Sequence, residues 1–352
     1  MTERIDRVRG LLAERGYDGL IVSKPANIRY LTGATGTAAE LLVTANDLLL
    51  LNSFVDITEN GETAPDVPQA TRTNSAADMA TAVHSRGLQR VGIETHHLSH
   101  DTYITYQQSL DGVELCSSGG MVEDLRAVKD EGEIDLIQQG MQVNDLGVQY
   151  VRDHAREGMT EFELGVGLET AMREAGADGL GFLIVQFGEN AAKPHHRFSQ
   201  RALRQGDFIL IDIGALHQGY GSDTTRTLVF GEPTERQRAV YEAVHRAQAA
   251  ALSAVRAGVT GESVHQASAD VIREAGYAAY YGHGVGHAIN EGPRLAPSST
   301  DILRPGHVVT IEPGIYIAEW GGVRVEDTVV VTEGGYRNLA RFPKDLTIIS
   351  AR

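Results

Sequence analysis

The order of apolar and polar positions divides the chain into stretches with two different periods. Ile5, Val8, Leu11 and Leu12 recur at helical spacing, and Gly16 stands where such a helix would stop. Residues 18–23 (DGLIVS), 40–53 (ELLVTANDLLLLNS) and 90–95 (RVGIET) read as short apolar strands, the second doubling back at Asn46-Asp47. Residues 1–125 thus predict an α/β domain. After a charged junction, Ile134, Ile137, Met141, Val148 and Val151 fall on one helical stripe. A second domain is predicted over 126–352.

That second part repeats itself. Gly158-Met159-Thr160 opens a segment that ends in Arg173-Glu174-Ala175-Gly176. One hundred residues later, Gly258-Val259-Thr260 opens one ending in Arg273-Glu274-Ala275-Gly276. Each has a threonine at a helix start and a glycine at its stop, and Thr160 with Glu163 forms a capping box. A helix precedes each segment (about 131–156 and 234–257), and an apolar strand follows each (182–187 and roughly 283–289). Duplication predicts a two-lobed domain with pseudo-twofold symmetry and a site at the seam.

Three apolar runs carry acids. Asp212 lies in FILIDIGA (208–215), Glu312 in HVVTIEPGIY (307–316), and Glu326 with Asp327 in GGVRVEDTVVVT (321–332). Such runs are typical of strands covered on both faces, where an ionised carboxylate costs several kcal/mol unless it is paired. With Asp223 eleven residues after Asp212, these acids exceed what Arg226 and Arg324 could neutralise. A dinuclear divalent centre would balance four carboxylates, with one imidazole completing the donor set. Oxygen-rich ligation with a single nitrogen suits Mn²⁺, Co²⁺, Zn²⁺ or Fe²⁺, and two metals sharing a water are a hydrolase arrangement.

Composition narrows the alternatives. The 352 residues are 42% apolar and 22% charged, ordinary for a globular protein. A net charge of −16 argues against nucleic-acid or anionic-membrane partners. Cys116 is the only cysteine, which excludes a disulfide framework or thiolate cluster. The charged N-terminus lacks an apolar core of the signal-peptide kind, and no apolar run reaches membrane-span length. A cytoplasmic protein is expected.

The motifs NIRYLTG (27–33), GENAAKPHH (188–196), DIGALHQGYGSDTTRT (212–227), IEPGIY (311–316) and GGVRVED (321–327) resemble those of the pitta-bread metallopeptidases. The likeness is to the Xaa-Pro branch, prolidase and the small aminopeptidases P. It implies a creatinase/prolidase-type N-terminal α/β domain followed by a pitta-bread catalytic domain of mixed α/β (α+β) class. It implies Asp212, Asp223, Glu312 and Glu326 as ligands of two divalent metals, manganese foremost, with Glu312 also the general base. His195 matches a substrate-contacting histidine, Arg324 a residue orienting a ligand carboxylate, and Tyr316 an active-site tyrosine. The implied chemistry is hydrolysis of Xaa-Pro bonds in dipeptides or short peptides by a metal-bridged hydroxide, in a homodimer. A creatinase-like amidinohydrolase and a metal-free binding protein are the alternatives.

The stretch GHGVGHAINE (282–291) is four residues shorter than the pattern of that family. Aligned from the left, His287 is the nitrogen ligand and His283 an active-site donor. Aligned from the right, His283 takes the ligand position, and Asn290 replaces a later substrate-contacting histidine. The unbroken left-hand match favours His287. In either alignment Asn290 stands where a histidine is usual, so reduced turnover and a gain on Asn290→His are expected.

Overall fold

The computed structural model describes residues 2–350. The chain divides into two units, Met1–Arg126 and Ala127–Arg352.

In the first unit the elements run α1 (Thr2–Arg15), β1 (Gly19–Val22), α2 (Pro25–Thr32), β2 (Ala39–Thr44), β3 (Leu48–Asn52) and α3 (Ile57–Thr63). They continue with β4 (Gln69–Thr71), α4 (Ser75–Ser85), β5 (Arg90–Ile93), α5 (His100–Ser109), β6 (Glu114–Ser117) and α6 (Met121–Ala127). The six strands form one mixed sheet in the order β4-β3-β2-β1-β5-β6. Its two faces bury separate apolar clusters. Ile5, Val8 and Leu12 of α1 pack with Leu20, Val22, Leu41 and Val43 on one face, and Met79 and Val83 of α4 with Ile21, Val91 and Ile93 on the other. Alternate residues of one strand thus serve both clusters, as the strand period of two requires.

In the second unit α7 (Glu131–His154) and α8 (Glu161–Glu174) precede β7 (Gly179–Phe187), β8 (Phe208–His217), β9 (Tyr220–Gly221) and β10 (Thr224–Phe230). Next come α9 (Glu235–Ala254), α10 (Gly261–Glu274), β11 (Gly286–His287), β12 (Arg294–Leu295), β13 (Val308–Ile311) and β14 (Gly314–Ile317). Strands β15 (Gly321–Arg324), β16 (Asp327–Val331), β17 (Tyr336–Asn338) and β18 (Ile348–Ile349) close the chain. The predicted stripe of α7 is buried at all five positions.

The 100-residue repeat is visible atom by atom. Thr160 and Thr260 each cap a 14-residue helix, and Thr160 bridges Ala202 as Thr260 bridges Ile302. Gly158 N–H donates to Leu203 O and Gly258 N–H to Leu303 O, both at 2.9 Å. Two expected strands are broken, however. The run 307–316 splits into β13 and β14 at Glu312-Pro313, and 321–332 splits into β15 and β16 at Val325-Glu326. Proline has no N–H for a ladder, so the first break falls where the sequence changes chemistry. The strand expected over roughly 283–289 shrinks to two residues. Its glycines allow a tight crossing instead: a Cβ on Gly286 would lie 2.0 Å from Thr310 O. No helix among the described residues is long and apolar enough to cross a membrane.

Candidate metal centre

Asp212 sits at the middle of β8, opposite Thr225 of β10 and Ile184 of β7. Asp223 ends the short hairpin through β9, held by Ser222 N–H donating to Ala215 O. Glu312 and Glu326 occupy the two strand breaks, where the backbone leaves its ladder and the longer side chains turn inward. Asp212, Asp223 and Glu326 each offer an oxygen, all lying within 4.8 Å of one another. His287 completes the cluster, its Nε2 standing 3.2 Å from Glu312 Oε1 and 3.6 Å from Asp223 Oδ2.

The electrostatics of this arrangement are unbalanced. Burial pushes the Asp223 carboxyl well above its ordinary range, and the charges of Glu326, Asp212 and Glu312 push it further. Glu326 is raised for the same reasons, burial first and then Glu312 and Asp212. Burial lifts Glu312 to about 7, Arg324 and the Thr310 hydroxyl opposing the shift. Among the described residues, Arg324 is the one guanidinium on the cluster, donating from Nη2 to Asp212 Oδ2 at 2.5 Å. Arg226, the other candidate counter-charge, is spent elsewhere in a buried pair with Asp327 at 3.0 Å.

Three atoms fit the site to a cation. Asp212 Oδ1 and Glu326 Oε1 are buried and accept no hydrogen bond. His287 Nδ1 lies 3.1 Å from Ala288 O, a pure acceptor, so Nδ1–H is directed there and the other ring nitrogen, Nε2, faces two carboxylates. A cation placed between Nε2 and those oxygens would be bound by all of them. Carboxylate oxygens with one neutral imidazole nitrogen form a donor set suited to divalent first-row cations, and these residues fit that group.

A second polar line runs away from Asp212. Arg324 Nη1 donates to Tyr316 Oη at 2.8 Å, and Tyr316 Oη lies 2.9 Å from His283 Nε2. His283 Nδ1 lies 2.7 Å from Gly284 O and must donate there, so Nε2 accepts the tyrosine proton. Burial lowers the His283 pKa to about 4, with Arg324, His265 and His195 also opposing its charge. The ring is neutral and both its nitrogens are engaged. His283, expected from the sequence to be an active-site donor, here holds the Tyr316 hydroxyl beside Arg324. Burial raises Tyr316 to about 12, keeping it a hydroxyl.

His195 lies exposed on the loop after β7. Asn290 adopts φ +60°, and its Oδ1 accepts the Gly221 N–H at 3.1 Å. Two threonines that sequence reasoning passed over belong to the site. Thr225 Oγ1 donates to Glu326 Oε2 at 2.8 Å and accepts from Arg324 Nε at 2.9 Å. Thr310 Oγ1 donates to Glu312 Oε1 at 2.9 Å and accepts the His287 N–H at 3.0 Å. Their signal was a hydroxyl inside a buried strand, which must find a partner.

A duplicated α/β unit that converges four acids and an imidazole on one point has the build of a metal-dependent hydrolase. Comparison with known proteins agrees. Residues 135–333 match metallopeptidase family M24, and residues 4–128 match the Creatinase/Prolidase N-terminal domain. The chain belongs to metallopeptidase family M24. It is 31% identical to the Xaa-Pro dipeptidase of Pyrococcus furiosus over 98% of this chain and 100% of that one. Among solved structures, Xaa-Pro dipeptidase from Bacillus anthracis superposes with a TM-score of 0.94 at 34% identity, covering 99% of each chain. The X-Pro aminopeptidase from Thermotoga maritima gives 0.90 at 30% identity, covering 96% of this chain and 99% of that one.

Proposed function

We propose that this protein hydrolyses the peptide bond between an N-terminal residue and proline, with Asp212, Asp223, His287, Glu312 and Glu326 holding two divalent cations. The observation that carries the reading is the convergence of His287 Nε2 and unpartnered buried carboxylate oxygens on one space. Cations bound there supply an acidified water and polarise the substrate carbonyl. Around them, Glu312 takes the proton of the attacking water and passes it to the proline nitrogen as the C–N bond breaks. Thr310 holds that carboxylate by one oxygen, leaving the other for proton transfer. Arg324 and Thr225 keep Asp212 and Glu326 from rotating away. On this reading His195 donates to the carbonyl oxygen.

Substrates on this reading are dipeptides or short peptides with proline second, the metal is manganese ahead of cobalt, zinc or iron, and the protein is a cytoplasmic homodimer. The creatinase-like alternative would leave four carboxylates idle, and the binding-protein alternative predicts no metal uptake. The test is hydrolysis of an Xaa-Pro dipeptide, an Xaa-Pro tripeptide and creatine after chelation and reloading with each metal. Release of proline from the dipeptide only with metal restored supports the reading. Absence of metal uptake would sink it. Calorimetric Mn²⁺ titration of His287→Ala and His283→Ala decides the nitrogen ligand: loss of one site only in His287→Ala is expected.

A further inference from the structure

Glu161 is fully buried, forms no ion pair among the described residues, and takes no part in the chemistry above. It is the first residue of α8, and its carboxylate collects four hydrogen bonds. Oε1 accepts Phe187 N–H at 2.7 Å and Asn190 Nδ2 at 2.9 Å. Oε2 accepts Ser199 N–H at 2.8 Å and Ser199 Oγ at 2.6 Å. Phe187 and Ser199 are the two ends of the loop that carries His195, so one carboxylate closes it.

Other contacts hold the same loop. Gln186 Nε2 donates to Lys193 O at 2.6 Å and His196 O at 3.1 Å, on either side of His195. From the opposite side, β15 lies so near that a Cβ on Gly322 would stand 2.1 Å from Ala191 O. β15 leads directly into Arg324 and Glu326. The loop is therefore gripped between the α8 N-terminus and the strand that enters the metal centre. The counterpart of Glu161 in the other half of the repeat is Gly261, which has no side chain for this role.

The geometry points to Glu161 as a positioning residue that sets His195 against the substrate carbonyl. This inference rests on the peptidase reading for the role of His195, though not for the clasp itself. Both oxygens of this side chain act as acceptors, which matches the four donors around it. Glutamine at this position turns an N–H₂ toward N–H donors and opens one end of the loop.

The test compares Glu161→Gln, Ser199→Ala, His195→Ala and the double variant Glu161→Gln/His195→Ala, all loaded with Mn²⁺. Amide hydrogen exchange over 188–199 should accelerate in Glu161→Gln and more mildly in Ser199→Ala, with bound Mn²⁺ unchanged. In Glu161→Gln, kcat/KM on an Xaa-Pro dipeptide should fall about 10- to 100-fold, the scale of one or two buried donors left unpaired. In the His195→Ala background the same change should cost almost nothing further, because its effect passes through that imidazole. Multiplying losses in the double variant, unaltered exchange at 188–199, or loss of metal from Glu161→Gln would each overturn the proposal. An inactive parent would end the peptidase reading alone, and the exchange measurement would still decide the clasp.

Discussion

The two halves of the catalytic unit share a backbone plan and differ in how they use it. In the first half β8 and β10 run unbroken, and Asp212 lies opposite Thr225 in their ladder. In the second half the corresponding ladder, β13 with β16, ends at Ile311 opposite Asp327, and the next residues along are Glu312 and Glu326. Asp212 and Glu312 are thus counterparts, as are Thr225 with Glu326 and Arg226 with Asp327. The halves meet through these counterparts: Thr225 Oγ1 donates to Glu326, and Arg226 pairs with Asp327. A continuous strand presents a short acid. A broken one presents a long acid whose backbone has turned away. The duplicated scaffold supplied symmetric positions, and local breaks made the donors converge.

The largest effect should come from the long acids. Glu312→Gln is expected to lower kcat/KM on an Xaa-Pro dipeptide by roughly 10³-fold, the scale of a lost general base. The opposite signature should appear in thermal scans of metal-free protein. Asp223 has a folded-state pKa above its unfolded value, so its contribution to stability is full below the unfolded value and is lost as pH rises through the folded one. Asp223→Asn removes that repulsion, so its apo form should melt above the apo parent at pH 7 while losing the metal-induced rise in Tm. An unchanged apo Tm would mean the carboxylates are compensated without metal.

Next in size is the seam itself. Asp327 is buried against Arg226 and also accepts from Lys344, Gln248 and Asn338. Asp327→Ala strands two cations and should cost about 3–5 kcal/mol in urea unfolding, the scale for breaking a buried pair from one side. Arg226→Met with Asp327→Leu should recover part of that loss, since an apolar replacement avoids the desolvation penalty.

Much of this was legible before any coordinates. Carboxylates stand out in runs such as FILIDIGA because burial makes them expensive, and the repeat was readable from matched helix caps. The strand breaks at Glu312 and Glu326 were not: flanking residues such as Val309, Ile311, Val323 and Val325 are apolar whether or not the strand is continuous. The roles of Thr225, Thr310 and Glu161 were hidden for a related reason. Each depends on a partner 2 to 101 residues away, and period analysis sees only neighbours. The first unit showed β1, β2, β3, β5 and α1, but the short strands β4 and β6 and its shorter helices, such as the seven-residue α3, lacked a stripe long enough to read.

A smaller effect separates the halves by pH. Arg204 N–H is accepted by Asp207 in the first half, and Arg304 N–H by Nδ1 of His307 in the second. Burial, with Arg304 and Lys129 nearby, lowers the His307 pKa to about 4. The unfolded chain then binds the proton first, so stability is full above pH 6.5 and drains away as pH falls toward 4. Between pH 7 and 5 the loss should be about 1–2 kcal/mol. His307→Asp, which copies the first half, should remove that slope in denaturant titrations; an identical slope would assign it to another group.

The smallest effect concerns Asn290, for which the family pattern and the local geometry suggest different outcomes of the same substitution. Read against a family pattern, asparagine there is a lost histidine, and Asn290→His should raise turnover. In the structure Asn290 occupies a left-handed turn and clips Gly221, two residues before Asp223. Asparagine suits that conformation, and its short side chain reaches an amide that a bulkier imidazole must address from farther out. Asn290→His should therefore give no gain in kcat/KM, and Asn290→Ala should cost about 1 kcal/mol of stability, the worth of one hydrogen bond. Loosening the hairpin should weaken Mn²⁺ binding by a few-fold in both variants, with His287 untouched. A clear rise in kcat/KM for Asn290→His would show that the shortened loop still leaves this position facing the substrate, and that the clip on Gly221 is incidental.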